Sequence, residues 1–251
     1  MKDNHPDLWK DCFPIPKQES HKYDRGHAVI YGAPELTGAT RLAAGACARI
    51  GAGLTTVLCT TETTSIYRTT LPAHIMVRDN LTYRDPRITA RLYGPGGLPK
   101  DCKISLSRPA VLDADALKTL PDTLNEHTIL TPHEGEFKAA FPHIEGTALE
   151  KAQIAAKETG ALIVLKGAHT IIAHPDGRSV INTHATPYLA TAGSGDVLAG
   201  MITGLLAQHM PPFETACATA WLHGEAARRI GPGLVASDLP EAIPQILRDF
   251  A

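Results

Sequence analysis

The chain has 251 residues, 43% of them hydrophobic, enough to enclose the core of one large domain or two small ones. Its 24 Lys and Arg nearly balance its 26 Asp and Glu and are scattered, which leaves no electrostatic footprint for nucleic acid or an anionic membrane, while a local positive pocket for a phosphate stays open. No apolar stretch reaches the ~18 residues of a membrane span; the opening MKDNHPDLWKDCFPIP lacks a signal-peptide core, and five dispersed cysteines without a CxxC pair read as free thiols in a reducing cytoplasm.

Residues 1–25 read as a polar, proline-containing lead-in, and residues 26–251 as a single domain, since no later stretch has the composition of a linker. His27–Tyr31 is a short apolar strand. The loop from Gly32 to Gly38 leads into a small-residue helix over 39–50, with Leu42, Ala43, Ala46, Cys47 and Ile50 on one face. Gly51 and Gly53 are placed to end it. The β-branched run 54–60 is the next strand, which completes a parallel βαβ unit. Further strands are predicted at 74–77, 89–93, 110–112, 128–130 and 162–165, and helices at 115–120, 134–141 and 148–158. Short apolar strands alternating with helices predict an α/β protein with a largely parallel, buried central sheet flanked by helices on both faces. After Lys166 the texture changes: 169–173 and 179–182 flank Asp176-Gly177, a hairpin signal, so a late antiparallel β segment is expected. The last third is helical. One apolar stripe runs from Val197 to Leu206 and another from Phe213 to Trp221, and Ser237 or Asp238 is placed to cap a final helix.

Five segments can carry chemistry, and each also has a plainer reading. Thr191-Ala192-Gly193-Ser194-Gly195-Asp196 opens the helix expected from Val197. Its glycines admit a close ligand, its amides can hold an anion, and Asp196 lies where a hydroxyl meets a phosphate. The plain alternative is a glycine turn with a helix-capping aspartate, whose lowered pKa makes a poor base unless the pocket is desolvated. Lys166 and Gly167 end a strand and can meet a phosphate, or form a turn with a solvated lysine. His133, in Thr131-Pro132-His133-Glu134-Gly135-Glu136, joins a strand to a helix and is either a site residue or structural. Asp113 and Asp115 can touch metal, ribose or water, or cap the next helix. Gly94-Pro95-Gly96-Gly97 is a turn that also lets a flat ring lie close. All five fall at strand carboxyl ends or a helix start, so all can line one cleft. No HExxH and no Cys/His cluster at zinc spacing occurs.

These segments resemble the ADP-dependent NAD(P)H-hydrate dehydratases of the ribokinase-like superfamily. The resemblance runs from about Ser20 to the C-terminus, through HKYDRGHAVIYGAPELTGATRLAAGACARIGAGLTTV, LDADAL, ILTPHEGEF, IVLKGAHTIIAHPDG, ATAGSGDVLAGMITGLLAQ and WLHGEAA. GSGD alone suggests only a ribokinase-like nucleotide site; PHEGEF with LKGAHT narrows it to the dehydratases. The resemblance implies that Lys166, Gly167, Ala168, His169, Thr170 and Gly195 contact the adenine nucleotide. It implies that Ala39, Gly96, His133 and Asp196 face the hydrated dinucleotide, NADHX or NADPHX. ADP is the implied phosphoryl donor, Mg²⁺ its companion and Asp196 the catalytic base. A homo-oligomer (dimer or tetramer), a cytoplasmic location and a separate NAD(P)H-hydrate epimerase acting alongside are implied as well.

The sequence departs from the family pattern in places. Tyr31-Gly32-Ala33-Pro34 stands where a GGS-like turn is usual. Gly94-Pro95-Gly96-Gly97-Leu98 stands for GPGLG, which leaves Gly96 and Gly97 both open as the substrate contact. The short basic stretch 98–110 is a reduced helix or a loop. Two rival readings share the site: a ribokinase-like kinase phosphorylating a small vitamin-type alcohol, and a nucleotide sensor without catalysis. The sensor has no use for Asp196.

Overall fold

A computed structural model describes residues 2–250. Ten strands form one sheet: β1 (Lys2–Asp3), β2 (His27–Tyr31), β3 (Leu54–Leu58), β4 (Ile75–Arg78), β5 (Ile88–Tyr93), β6 (Ala110–Leu112), β7 (Thr128–Leu130), β8 (Leu162–Leu165), β9 (Thr170–Ala173) and β10 (Ser179–Asn182). Their order is β1-β10-β9-β8-β7-β6-β5-β2-β3-β4. All pairings are parallel except those of β9, which runs antiparallel to both β8 and β10. The turn between β9 and β10 closes as the Asp176-Gly177 signal predicts, with the Gly177 amide donating to the His174 carbonyl at 3.0 Å.

Among the described residues seven helices cover the sheet: α1 (Thr37–Arg49), α2 (Thr61–Thr70), α3 (Glu134–Ala140), α4 (Ala148–Thr159), α5 (Ser194–Ala207), α6 (Pro212–Ile230) and α7 (Asp238–Leu247). The strand period of two sorts the side chains between two cores. Ala28 and Ile30 of β2 face a core shared with α1, α5, α6 and α7. Val29 and Tyr31 face the other core, with α3 and α4. Every residue of α5 from Val197 to Ala207 is buried, as a helix apolar all round requires. It packs on the small residues of α1 so closely that a Cβ on Gly200 would stand 2.2 Å from the Ala43 carbonyl oxygen. That contact sets where the amino end of α5 lies.

Several elements differ from the sequence expectation, each for a physical reason. The lead-in is tied down: β1 pairs with β10, and Trp9, only 1% exposed, packs among the rings of Phe13, Trp221 and Phe250. Helix α2 was not expected, because TETTSIYRTT is threonine-rich and poor in helix formers. Tertiary contact supplies what propensity lacks, through the buried Tyr67 whose hydroxyl donates to the Ala33 carbonyl at 2.8 Å. The helix expected at 115–120 is a 3-10 turn, Ala114–Lys118. The stretch 98–108 is a loop rather than a reduced helix. Helix α5 starts at Ser194, three residues before the expected Val197, because Gly193 takes φ +92° and turns the chain directly into it. Ser237 precedes α7 without a side-chain capping bond; the Asp238 carboxylate instead accepts from the Val235 amide at 3.0 Å. Among the described residues no helix is long and apolar enough to cross a membrane.

The strand order positions the site. The chain runs outward through β2, β3 and β4, then returns to β5 beside β2 and runs outward the other way through β6, β7 and β8. The carboxyl ends of β2 and β5 are therefore the point where the winding reverses, and beyond such a switch point open α/β sheets place their ligand crevice.

Candidate active site

The loops after β2 and β5 form one wall of that crevice. The Ala33 amide donates to Thr40 Oγ1 at 2.9 Å, and that hydroxyl donates to the Pro95 carbonyl at 3.1 Å, so the first turn of α1 is tied to both loops. Gly96 has φ +78°, and a Cβ there would stand 2.3 Å from the Leu36 carbonyl oxygen and 2.9 Å from Ala39 Cβ. Only glycine fits. Gly97 is less crowded, with Asp115 Oδ2 and Pro34 Cδ both 3.6 Å from the same imagined atom. Ala39 and Gly96, expected to face one ligand, are therefore neighbours, and Gly97 lies beside Asp115.

The opposite wall is charged. Lys166 follows β8, and its ammonium donates to Asp113 Oδ1 at 2.8 Å and stands 3.8 Å from Glu136 Oε2. Asp113, 2% exposed after β6, also accepts from Thr131 Oγ1 at 2.7 Å. The two aspartates of LDADAL thus part company. Asp115 pairs with Lys118 at 2.6 Å on the surface, and neither carboxylate caps a helix. Nor is Lys166 the solvated lysine of a plain turn. Burial pulls its pKa down, but the Asp113 carboxylate and, behind it, Glu136 and Asp196 outweigh burial, and the pKa is raised. Gly167, Ala168 and His169 form the exposed turn that follows, and Thr170 opens β9.

The amino end of α5 meets this lysine. A Cβ on Gly195 would lie 3.3 Å from Lys166 Nζ. The Ser194 amide turns back to the Thr191 carbonyl at 3.3 Å, and the Ser194 hydroxyl donates to the Leu189 carbonyl at 2.8 Å. Among the described residues the amides of Gly195 and Asp196 have no protein acceptor. Two free amides, the positive end of a buried helix and an ammonium suit an anionic oxygen. Asp196 is half-buried, and its pKa is pushed up to about 6, first by burial and then by repulsion from Asp113 and Glu136, against the pull of Lys166. The desolvation that a base role demands of this helix-start carboxyl is present.

His133 is placed by its helix. Its Nδ1 accepts from the amides of Gly135 at 3.0 Å and Glu136 at 3.2 Å, and Glu136 Oε2 accepts from the His133 amide at 2.8 Å, a reciprocal capping box on α3. The other ring nitrogen, Nε2, stands 3.6 Å from Glu136 Oε1. The backbone of His133 bridges to that of Lys166, which brings the two segments side by side. Sequence reasoning did not single out Glu136, although its spacing of three from His133 is the signature of that box. It also passed over His223 of α6, a buried imidazole behind Ser194. Burial pulls its pKa down to about 4 against the opposing Ser194 backbone, and its Nε2 has no partner among the described residues. Nothing in the local sequence of WLHGEAA marks it.

Comparison with known proteins bears on the chemistry. The family model described as NAD(P)H-hydrate dehydratase matches residues 27–248. The chain is 37% identical over 266 residues to the ADP-dependent (S)-NAD(P)H-hydrate dehydratase of Neisseria meningitidis serogroup B, covering 92% of this chain and 88% of that protein. It spans about half the length of the bifunctional NAD(P)H-hydrate repair enzymes that it also matches. Among solved structures, a ribokinase-like superfamily protein of Enterococcus faecalis superposes with a TM-score of 0.87 at 25% identity, covering 100% of this chain and 96% of that one. The ADP/ATP-dependent NAD(P)H-hydrate dehydratase of Bacillus subtilis, co-crystallized with ATP and Mg²⁺, gives 0.84 at 29% identity, covering 100% and 99%.

Proposed function

This chain belongs to the NAD(P)H-hydrate dehydratase family, with a ribokinase-like fold, and from that premise we propose that it returns hydrated NAD(P)H to NAD(P)H while converting ADP to AMP and phosphate. The observation that carries the proposal is the meeting of Asp196, Lys166 and the free amides of Gly195 and Asp196 at the start of α5.

In the hydrate a hydroxyl stands at C6 of the nicotinamide ring, and hydroxide is a poor leaving group. Asp196 takes the proton of that hydroxyl as its oxygen attacks the terminal phosphorus of the donor, and AMP departs. The Gly195 and Asp196 amides and the Lys166 ammonium stabilise the charge that builds on the transferred group, each such donor being worth roughly 3–4 kcal/mol. The ring nitrogen's lone pair then expels phosphate, and loss of a proton from C5 restores the double bond. The nucleotide lies along the turn of Lys166, Gly167, Ala168, His169 and Thr170, and the hydrated ring between Ala39, Gly96 and His133.

Three carboxylates (Asp113, Glu136, Asp196) surround one ammonium, a negative excess that fits a divalent cation arriving with the nucleotide. Among the described residues no group of three or more His, Cys, Asp or Glu side chains is placed to hold a metal, so phosphate oxygens would supply most of the ligands of Mg²⁺, as is usual for this ion. Bound there, Mg²⁺ would neutralise phosphate charge. A homodimer or homotetramer, a cytoplasmic location and an NAD(P)H-hydrate epimerase acting alongside belong to the same reading.

A small-molecule kinase would use the same centre and release the phosphoester instead of eliminating it; the named relatives favour elimination. Incubation of the purified chain with NADHX and ADP or ATP decides between them. Return of NADH absorbance with nucleotide and none without is the expected result. A stable phosphorylated product without NADH would point to the kinase.

A further inference from the structure

Arg91 stands in the middle of β5, a central strand, between buried Ala90 and Leu92, which face the α1/α5 core. Its half-buried side chain points to the other face of the sheet, where a charge normally has a counter-ion. No carboxylate lies within ion-pairing distance among the described residues; its side-chain partner is the Ser107 hydroxyl, which accepts from Nη1 at 3.1 Å. Over this face runs the loop 98–108, pinned by Tyr93, whose hydroxyl accepts from the Ser105 amide at 3.1 Å. Between this loop and residues 81–86 a cleft of about 790 Å³ opens, with Tyr31 in its lining.

The lining is strongly one-signed. Arg84, Arg91, Lys103 and Arg108 contribute four cations, none paired with a carboxylate among the described residues. Of the two acids in the lining, Asp85 is committed to Arg87, which donates from Nε at 2.8 Å and from Nη2 at 2.6 Å, and its pKa is held far below the usual carboxylate range by those bonds. That leaves Asp101 alone against four cations, in a chain whose net charge is −2. Such a cavity focuses positive potential, and guanidinium forks beside the Ser105 and Ser107 hydroxyls match phosphate oxygens. Arg84 and Pro86 precede β5 and Arg108 precedes β6, whereas Tyr31 ends β2, so the cleft runs along the sheet face from the amino ends of β5 and β6 towards the crevice wall.

We propose that this cleft is a second anion site, built to hold an organic pyrophosphate by Arg91 and Arg108 with Arg84 and Lys103 at its rim. One ligand chemistry has two sources: the pyrophosphate of the dinucleotide whose ring lies at Gly96, or a separate phosphometabolite. The first source rests on the proposed function; the site itself does not.

Calorimetric titration of the whole chain, saturated with AMP to fill the Lys166 pocket without supplying a pyrophosphate, tests this with ADP-ribose and inorganic pyrophosphate as probes. Both should bind, and Arg91→Gln with Arg108→Gln should weaken them by about tenfold or more, as loss of charged hydrogen bonds does. If that variant fails to fold, the exposed pair Arg84→Gln with Arg108→Gln serves, with the same direction of change. A raised KM for NADHX at unchanged kcat, with ADP-ribose competing, assigns the site to the dinucleotide's own pyrophosphate. Probe binding with an unchanged KM assigns it to a separate ligand. Absence of binding, or binding indifferent to the substitutions, overturns the site. A chain that binds the probes but does not turn over NADHX would refute the function and leave the site standing.

Discussion

The two walls of the crevice are built on opposite principles. The wall after β2 and β5 works by the absence of side chains: Gly96 lies against Ala39 and the Leu36 carbonyl with no room for another carbon. The wall after β6, β7 and β8 works by charge, with Asp113, Lys166, Glu136 and Asp196 gathered at the start of α5. On the proposed function the first wall faces the uncharged ring, and the second handles phosphate and protons. Substitutions should therefore divide cleanly, with volume mattering on one wall and charge on the other.

The largest effect is expected at Asp196. Replacement by Ala removes the base, and kcat should fall by roughly 10²–10⁴ while the circular dichroism spectrum and nucleotide binding persist. Next is Lys166→Met, which leaves Asp113 buried without its partner and should cost about 3–5 kcal/mol in denaturant unfolding. Adding Asp113→Asn should recover most of that loss, and a double variant no more stable than the single one would break the pairing argument. Gly96→Ala should raise KM for the hydrate and cost about 1–3 kcal/mol by overpacking, with ADP affinity unchanged; a change in ADP affinity instead would blur the division between the walls. The smallest effect is expected at His133→Ala, where loss of the α3 cap should cost about 0.5–2 kcal/mol. KM for the hydrate should rise as well, since the ring is proposed to lie against His133; an unchanged KM would leave His133 a helix cap alone.

Much of the scaffold was legible because local signals agreed. The strands β2, β6, β7 and β8 are short apolar runs bounded by polar or turn residues, and their limits fall where the pattern puts them. Helix α2 was hidden because its threonines argue against a helix that only the Tyr67–Ala33 contact justifies. The lead-in read as polar because one tryptophan among many charges anchors it. At the site, sequence placed each segment at a strand end but could not pair them. Lys166 and Asp113 stand 53 residues apart and meet only because β6, β7 and β8 are adjacent in the sheet. The crevice between β2 and β5 likewise depends on strand order, which no local pattern states.

Asp196→Asn tests the central claim most directly, because turnover and stability should move in opposite directions. In the folded chain the Asp196 pKa of about 6 lies above the 3.8 of a free aspartate, so the fold holds its proton more tightly than the unfolded chain does. The cost of ionising it is absent below 3.8, grows between 3.8 and about 6, and is complete above that. At pH 8 the asparagine variant should be inactive yet more stable than the parent by up to about 3 kcal/mol, with the difference vanishing near pH 4. An asparagine variant that still regenerates NADH, or one less stable than the parent at pH 8, would contradict the account of Asp196 as a desolvated base.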